Sequence, residues 1–146
     1  MKSGNGSDMI ITPYVSEYKD AVIELWQKCN LTRPWNNPGL DIERKLRVNP
    51  ELFLVGLIDG TVMASVMGGY EGHRGWIHYL AVDPDHQPKG YGRQMMDEIG
   101  KKLREKGCPK INLQVRADNN AVVKFYQSIG YMTEDRISMG KRLVDD

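Results

Sequence analysis

Residues 87–92 read Gln87-Pro88-Lys89-Gly90-Tyr91-Gly92, two glycines and a lysine between an apolar run and an amphipathic stretch. A glycine-bearing turn that opens a helix leaves backbone N–H groups unpaired at the positive end of the helix dipole. The chemistry open to such a turn is anion binding, with phosphate its commonest guest. Two well-known owners of such loops do not fit. Dinucleotide-binding folds need G-x-G-x-x-G beside the first strand and an acidic residue about 20 positions on, whereas this turn lies mid-chain. The nucleotide-hydrolase loop needs G-x-x-x-x-G-K-[ST], and no such string occurs. Cys29 and Cys108 stand outside any CxxC spacing or histidine cluster. That argues against zinc and a disulfide framework, and for reduced thiols in a cytosolic protein.

The elements that must position this turn are legible around it. Trp76 to Val82 reads as a strand entering it, and Gly90 to Glu105 as a helix leaving it, with Met95, Met96, Ile99 and Leu103 on one face. Upstream, Met9 to Tyr14 suits a short strand. Ser16 is a candidate N-cap for a helix carrying Tyr18, Val22, Leu25, Trp26 and Cys29. Thr32 to Gly39, with two prolines, is a loop, and Asp41 to Val48 a short second helix. Leu52 to Ile58 and Thr61 to Tyr70 read as strands joined by the hairpin signal Asp59-Gly60. Downstream, Lys110 to Arg116 alternates as a strand, Val122, Phe125, Tyr126 and Ile129 mark a last helix, and Ile137 to Leu143 a weaker last strand.

With 146 residues and no linker or repeat, the expectation is one mixed α/β domain over 9–146, preceded by a polar leader at 1–8, either a floppy terminus or an expression remnant. A net charge of +1 offers no global field toward nucleic acid or anionic membrane, and no apolar run reaches transmembrane length. The expectation is a cytoplasmic protein with neither as partner.

The string Leu80-Ala81-Val82-Asp83-Pro84, followed by Gln87-Pro88-Lys89-Gly90-Tyr91-Gly92, resembles the acetyl-coenzyme A segment of the GNAT superfamily of N-acetyltransferases, Q/R-x-x-G-x-G/A after a strand ending in Val-x-Pro. A second segment agrees: Asn119, Phe125-Tyr126 and Gly130-Tyr131 match N-x-x-A-x-x-[FL]-Y-x-x-x-G-[FY]. The resemblance covers roughly residues 9–143. It implies a mostly antiparallel α+β sheet of six or seven strands, splayed between strands 4 and 5 and flanked by about four helices. It also implies acetyl-CoA as co-substrate, no metal, a small-molecule or peptide amine as acceptor, and an option of homodimerisation.

Residue by residue, the resemblance implies that the amides of the loop, with Arg93, Lys89 and Arg116 adding charge, cradle the pyrophosphate. Leu80 to Val82 would pair with pantetheine, an amide of Leu80 or Ala81 would hold the oxyanion, and Tyr126 would protonate the departing thiolate. Asn119 would bond the pantetheine arm, cap the last helix, or both, and Trp35 would line the acceptor pocket. Plainer readings stand beside these: Tyr126 as a core residue, Trp35 as a loop anchor, Glu71 and His73 as a solvated turn, His78 as a core histidine.

Two departures limit the resemblance. Pro88 has no N–H, so the cradle is expected to be one donor short. Leu113-Gln114-Val115-Arg116 resembles the Leu-Glu-Val-Arg of ribosomal-protein alanine N-acetyltransferases, where the glutamate is taken as general base. An amide cannot serve as that base, so Gln114 is left as a substrate contact. A lysine-like amine costs roughly 4–5 kcal/mol to deprotonate at pH 7, and an α-amine only about 1–1.5. Base candidates are Glu71, His73, His78 and Asp83, with Glu71 or a water relay favoured. The expected activity is acetyl transfer to a primary amine by direct attack. The alternative is a cofactor-binding regulatory module without catalysis.

Overall fold

Asp59 and Gly60 both have positive φ, 51° and 79°, the pair of left-handed residues a tight hairpin turn needs. They join β2 (Phe53–Ile58) to β3 (Thr61–Tyr70) in the computed structural model, which describes residues 8–87 and 89–145. β1 (Ile10–Pro13) pairs antiparallel with β2, and β4 (Gly75–Val82) antiparallel with β3. β5 (Ile111–Leu113) adds in parallel to β4, giving the order β1-β2-β3-β4-β5. The helices are α1 (Lys19–Lys28), α2 (Pro38–Lys45), α3 (Tyr91–Glu105) and α4 (Asn120–Ser128). The mixed, mostly antiparallel α/β sheet and four helices agree with expectation. No helix of the described residues is long and apolar enough to cross a membrane.

The strand count does not agree: the sheet has five strands among the described residues, not six or seven. β5 stops at Leu113, short of the Arg116 expected, and residues 137–143 form no strand. Ile137, Met139 and Leu143 are 87–90% exposed. Alternation marks a segment that could pair; without a ladder partner its amides stay with water. Residues 1–7 of the leader, and Pro88 with the donor count drawn from it, lie outside the described residues.

The chain divides into two compact units, one ending at Leu113 and one starting at Gln114. In the first, α1 and α3 pack on β3 and β4. Alternation along β3 sends Gly68 and Met67 to opposite faces. A Cβ on Gly68 would lie 2.8 Å from Ile99 of α3, so the helix sits on bare backbone there. Met67 instead joins Val22, Leu25, Trp26, Ile42 and Phe53 in the core under α1 and α2. Gly68→Val is expected to lower stability by about 1–3 kcal/mol through overpacking, read as a drop in the urea midpoint. The second unit holds α4 and the segment after it.

Candidate active site

β4 outruns β5. The two pair only over Gly75↔Ile111, Trp76↔Asn112 and Ile77↔Leu113, so from His78 onward β5 offers β4 no partner. On its other edge β4 stays paired to β3 but carries a bulge. Met67 faces His78 and Ser65 faces Ala81, so Val66 alone opposes Tyr79 and Leu80. Tyr79 sits at φ 53°, a conformation an aromatic residue holds only under support from its surroundings.

That support is visible. Tyr14 stacks on Phe53 at 4.5 Å, Phe53 on Trp26 at 6.2 Å, and Trp26 on Tyr79 at 3.8 Å between ring centroids. Trp26 Nε1 donates to Ser65 Oγ at 2.9 Å, and the Ser65 hydroxyl donates to the Tyr79 carbonyl at 2.9 Å. The Tyr79 hydroxyl donates to Asp41 Oδ2 at 2.5 Å and accepts from Asn36 Nδ2 at 3.4 Å. Burial and the Asp41 carboxylate push the phenol up to about 12. The bulge is thus held by the core on one side and by α2 on the other.

The bulge decides which amides face the open edge. Gly75 N–H donates to Lys110 O on the β5 side at 2.8 Å, and Asp83 N–H to Met63 O on the β3 side at 2.8 Å. Amide direction alternates along a strand. Ala81 therefore points to β3, whereas Leu80 and Val82 point to the edge that β5 leaves. Of the two candidate amides, Leu80 faces the open edge and Ala81 faces β3.

Beyond Val82 the loop is tied down locally. Gln87 Nε2 donates to the Val82 carbonyl at 2.7 Å, and Cys29 Sγ shares that acceptor at 3.2 Å. Gln87 therefore fixes the loop to the strand. Asp83 accepts from the Asp85 amide at 2.9 Å and from Lys28 Nζ at 3.3 Å. Burial alone would raise its pKa; the amide and the ammonium outweigh it and hold the carboxyl below the usual range. A carboxylate so engaged is a poor proton acceptor.

Gly90 caps α3 at φ 83° without a side-chain bond to the first turn, and a Cβ there would meet open space. The opening amides of α3, at Tyr91, Gly92 and Arg93, are left for an anion. Exposed Lys89 and Arg93 flank them. His86, whose buried Nδ1 has no partner among the described residues, lies with its ring 6.4 Å from that of Tyr91. An unpaired imidazole nitrogen beside an anion cradle has no signature in the chain, because only the fold shows which nitrogen is buried.

In the second unit, Asn119 Oδ1 accepts from Val122 N–H at 3.3 Å and caps α4. Tyr126 is buried, edge-on to Phe125 and Tyr131 at 5.1 and 5.6 Å. Burial, then Tyr131, push its pKa upward. Gln114 Nε2 donates to Ser138 Oγ at 2.5 Å.

Glu71 stands beyond the Tyr70↔Gly75 pair, at the hairpin end of β4. At roughly 3.3 Å per residue, Leu80 is about 15 Å further along the strand. Its exposed carboxylate accepts from the His73 and Arg74 amides at 2.5 and 3.2 Å, and these hold its pKa down. The structure thus uses Glu71 to close a turn and does not bring it to Leu80.

His78 lies closer, roughly 6 Å from Leu80 along β4. It shares the face of Met67, opposite α3, and is exposed, so it is not the core histidine of the plainer reading. Desolvation and Lys45 lower its pKa and Asp41 raises it, so both charges of α2 act on it. Trp35 is half exposed in the loop before α2. No group of three or more metal-binding side chains occurs among the described residues.

A splayed β4 edge leading into a glycine-opened helix defines a class of protein. Residues 16–131 match the model of the Acetyltransferase (GNAT) family, and the chain belongs to that family. It is 51% identical over 127 residues to an acetyltransferase of Yersinia pestis, covering 87% of this chain and 90% of that one. An acetyltransferase of Pectobacterium atrosepticum shows the same identity and coverage. Among solved structures, Ard1 from Thermoplasma volcanium superimposes with a TM-score of 0.77 at 26% identity, covering 85% of this chain and 82% of that one. The aminoglycoside N-acetyltransferase AAC(6')-Iy, in complex with CoA, shares the fold at 16% identity and a TM-score of 0.75, covering 98% and 100%.

Proposed function

We propose that this chain transfers the acetyl group of acetyl-CoA to a primary amine by direct attack in a ternary complex. The observation that carries the reading is the β4 edge, where the Leu80 and Val82 amides run unpaired by β5 toward the open amides of α3. An extended pantetheine arm adds to such an edge as a strand would, and its pyrophosphate belongs at the helix N-terminus.

In the reaction, the amine nitrogen attacks the thioester carbon, and the Leu80 amide takes the charge that develops on oxygen. The nitrogen–carbon bond forms, the carbon–sulfur bond breaks with its electron pair on sulfur, and Tyr126 supplies a proton to that thiolate. The proton leaving the amine goes to His78, which the geometry favours over Glu71. His78 is the exposed imidazole on the α1/α2 face of β4; α3 packs on the other face. Asn119 and Trp35 keep their roles toward cofactor and acceptor in this reading. Calorimetry tests the foundation: the protein is expected to bind acetyl-CoA, and no heat of binding at millimolar cofactor would overturn the reading.

The proton acceptor has its own test. Desolvation and Lys45 hold the His78 pKa below the ordinary histidine value, so the imidazole is the neutral form near neutral pH and becomes protonated as pH falls. kcat/KM should therefore drop on acidification, with a midpoint below the ordinary histidine value, and His78→Gln should lower it about tenfold or more at pH 7 and remove that limb. Glu71→Gln should change kcat less than about twofold; a loss as large as that of His78→Gln would return the base role to Glu71.

The Gln114 amide, bonded to Ser138, favours a second reading, a cofactor-binding module without turnover. Thiol release from acetyl-CoA across an amine panel separates them, since a module would bind cofactor and release none.

A further inference from the structure

Asp41 and Lys45 stand one turn apart on α2, the spacing at which opposite charges ordinarily pair along a helix. Among the described residues they form no such pair. Asp41 instead accepts from the Tyr79 hydroxyl at 2.5 Å, and Lys45 Nζ donates to the Gly68 carbonyl of β3. Each charge is drawn down to the sheet, and both act electrostatically on His78, Lys45 lowering its pKa and Asp41 raising it.

Lys45 is the more telling of the two. It is half-buried, and desolvation lowers its pKa with only Glu51 acting in opposition. Glu51 is already engaged, with its carboxylate 2.6 Å from Lys106 Nζ. The Lys45 ammonium has three donors, and among the described residues the Gly68 carbonyl accepts one of them. It lies over Gly69, 3.6 Å from where a Cβ would stand, so no side chain of that residue covers the sheet below it. A half-buried cation without a carboxylate of its own is suited to an anionic group brought by a ligand.

We infer that the acceptor carries a carboxylate beside its amine, the amine held by Asp41 at His78 and the carboxylate taken by Lys45. This rests on the transferase reading above and names its substrate class: free amino acids and other amines bearing a carboxylate. Simple amines and lysine side chains within peptides leave Lys45 unmatched.

The test is kcat/KM, by thiol release from acetyl-CoA, for matched sets of each α-amino acid, its amide and its decarboxylated amine. The best acid should exceed its own amide and amine at least about tenfold. Lys45→Met should shrink that ratio about tenfold or more, and Lys45→Arg should keep most of it. Calorimetric binding of acetyl-CoA by both variants reports an intact fold. The inference is overturned if no acid is turned over, if amides or amines match the acids, or if Lys45→Met leaves the ratio in place. Each of those results, with acetyl-CoA still bound by the wild type, leaves the transferase reading standing; absent binding removes that reading first.

Discussion

Tyr126→Phe is expected to lower kcat by about a hundredfold while the Kd for acetyl-CoA stays within about twofold. The change removes one oxygen and keeps the ring, so the edge-on contacts with Phe125 and Tyr131 survive. In the proposed reaction what is lost is the proton for the thiolate. Burial and Tyr131 raise the phenol's pKa above its ordinary 10.0, so the acid stays loaded throughout the neutral range. No Tyr126-dependent limb should therefore show in the rate below pH 10. Rapid-mixing measurement of the acetyl-transfer step would read the effect directly. An unchanged kcat would return Tyr126 to the hydrophobic core.

Trp26→Ala is expected to destabilise the protein by about 3–5 kcal/mol. Trp26 is fully buried and joins α1 to the sheet through its stacking on Phe53 and Tyr79. Removing it opens a cavity and leaves the Ser65 hydroxyl without its indole donor. It also removes the stack beneath Tyr79, whose left-handed backbone sets the direction of the Leu80 amide. Any folded fraction should bind acetyl-CoA more weakly as well. Trp26→Phe keeps much of the volume and loses the hydrogen bond, and should cost about 1–2 kcal/mol less than the alanine change. Urea unfolding of the three proteins reads both effects; a loss below about 1 kcal/mol for Trp26→Ala would show that the stack does not hold the bulge.

Much of the scaffold was legible because local chemistry suffices for it. The Asp59-Gly60 turn, the apolar faces of α1 and α3, and the Asn119 cap each depend on neighbours within a few residues. The last strand was misread for the converse reason. Alternation at 137–143 is a local property, and pairing is not.

The site divides along the same line. Gly90, the strand before it and the second segment around Tyr126 sit close enough in sequence to their partners to be recognised as motifs. The residue type of Glu71 suits a base, but only the fold shows that its carboxylate closes its own turn. Gln87 and Asp83 looked available until their partners, Val82 and Lys28, came into view. Asp41 and Lys45 carried no motif of their own, and only the fold shows that each turns to the sheet.

The chain by itself determined its family, the glycine-opened turn before α3 and the order of most of its elements, since these rest on short-range spacing, capping and turn chemistry. The tertiary structure decided which amide of β4 faces the open edge, because a single bulge at Tyr79, held by residues from α1, α2, β2 and β3, reverses the alternation that a regular strand would carry. It also decided which titratable groups act on one another, since register and helix packing bring the charges of Asp41 and Lys45 to bear on His78 and leave Glu71 at the far end of the strand. Spacing along a chain carries the first kind of information; only closure of the core carries the second.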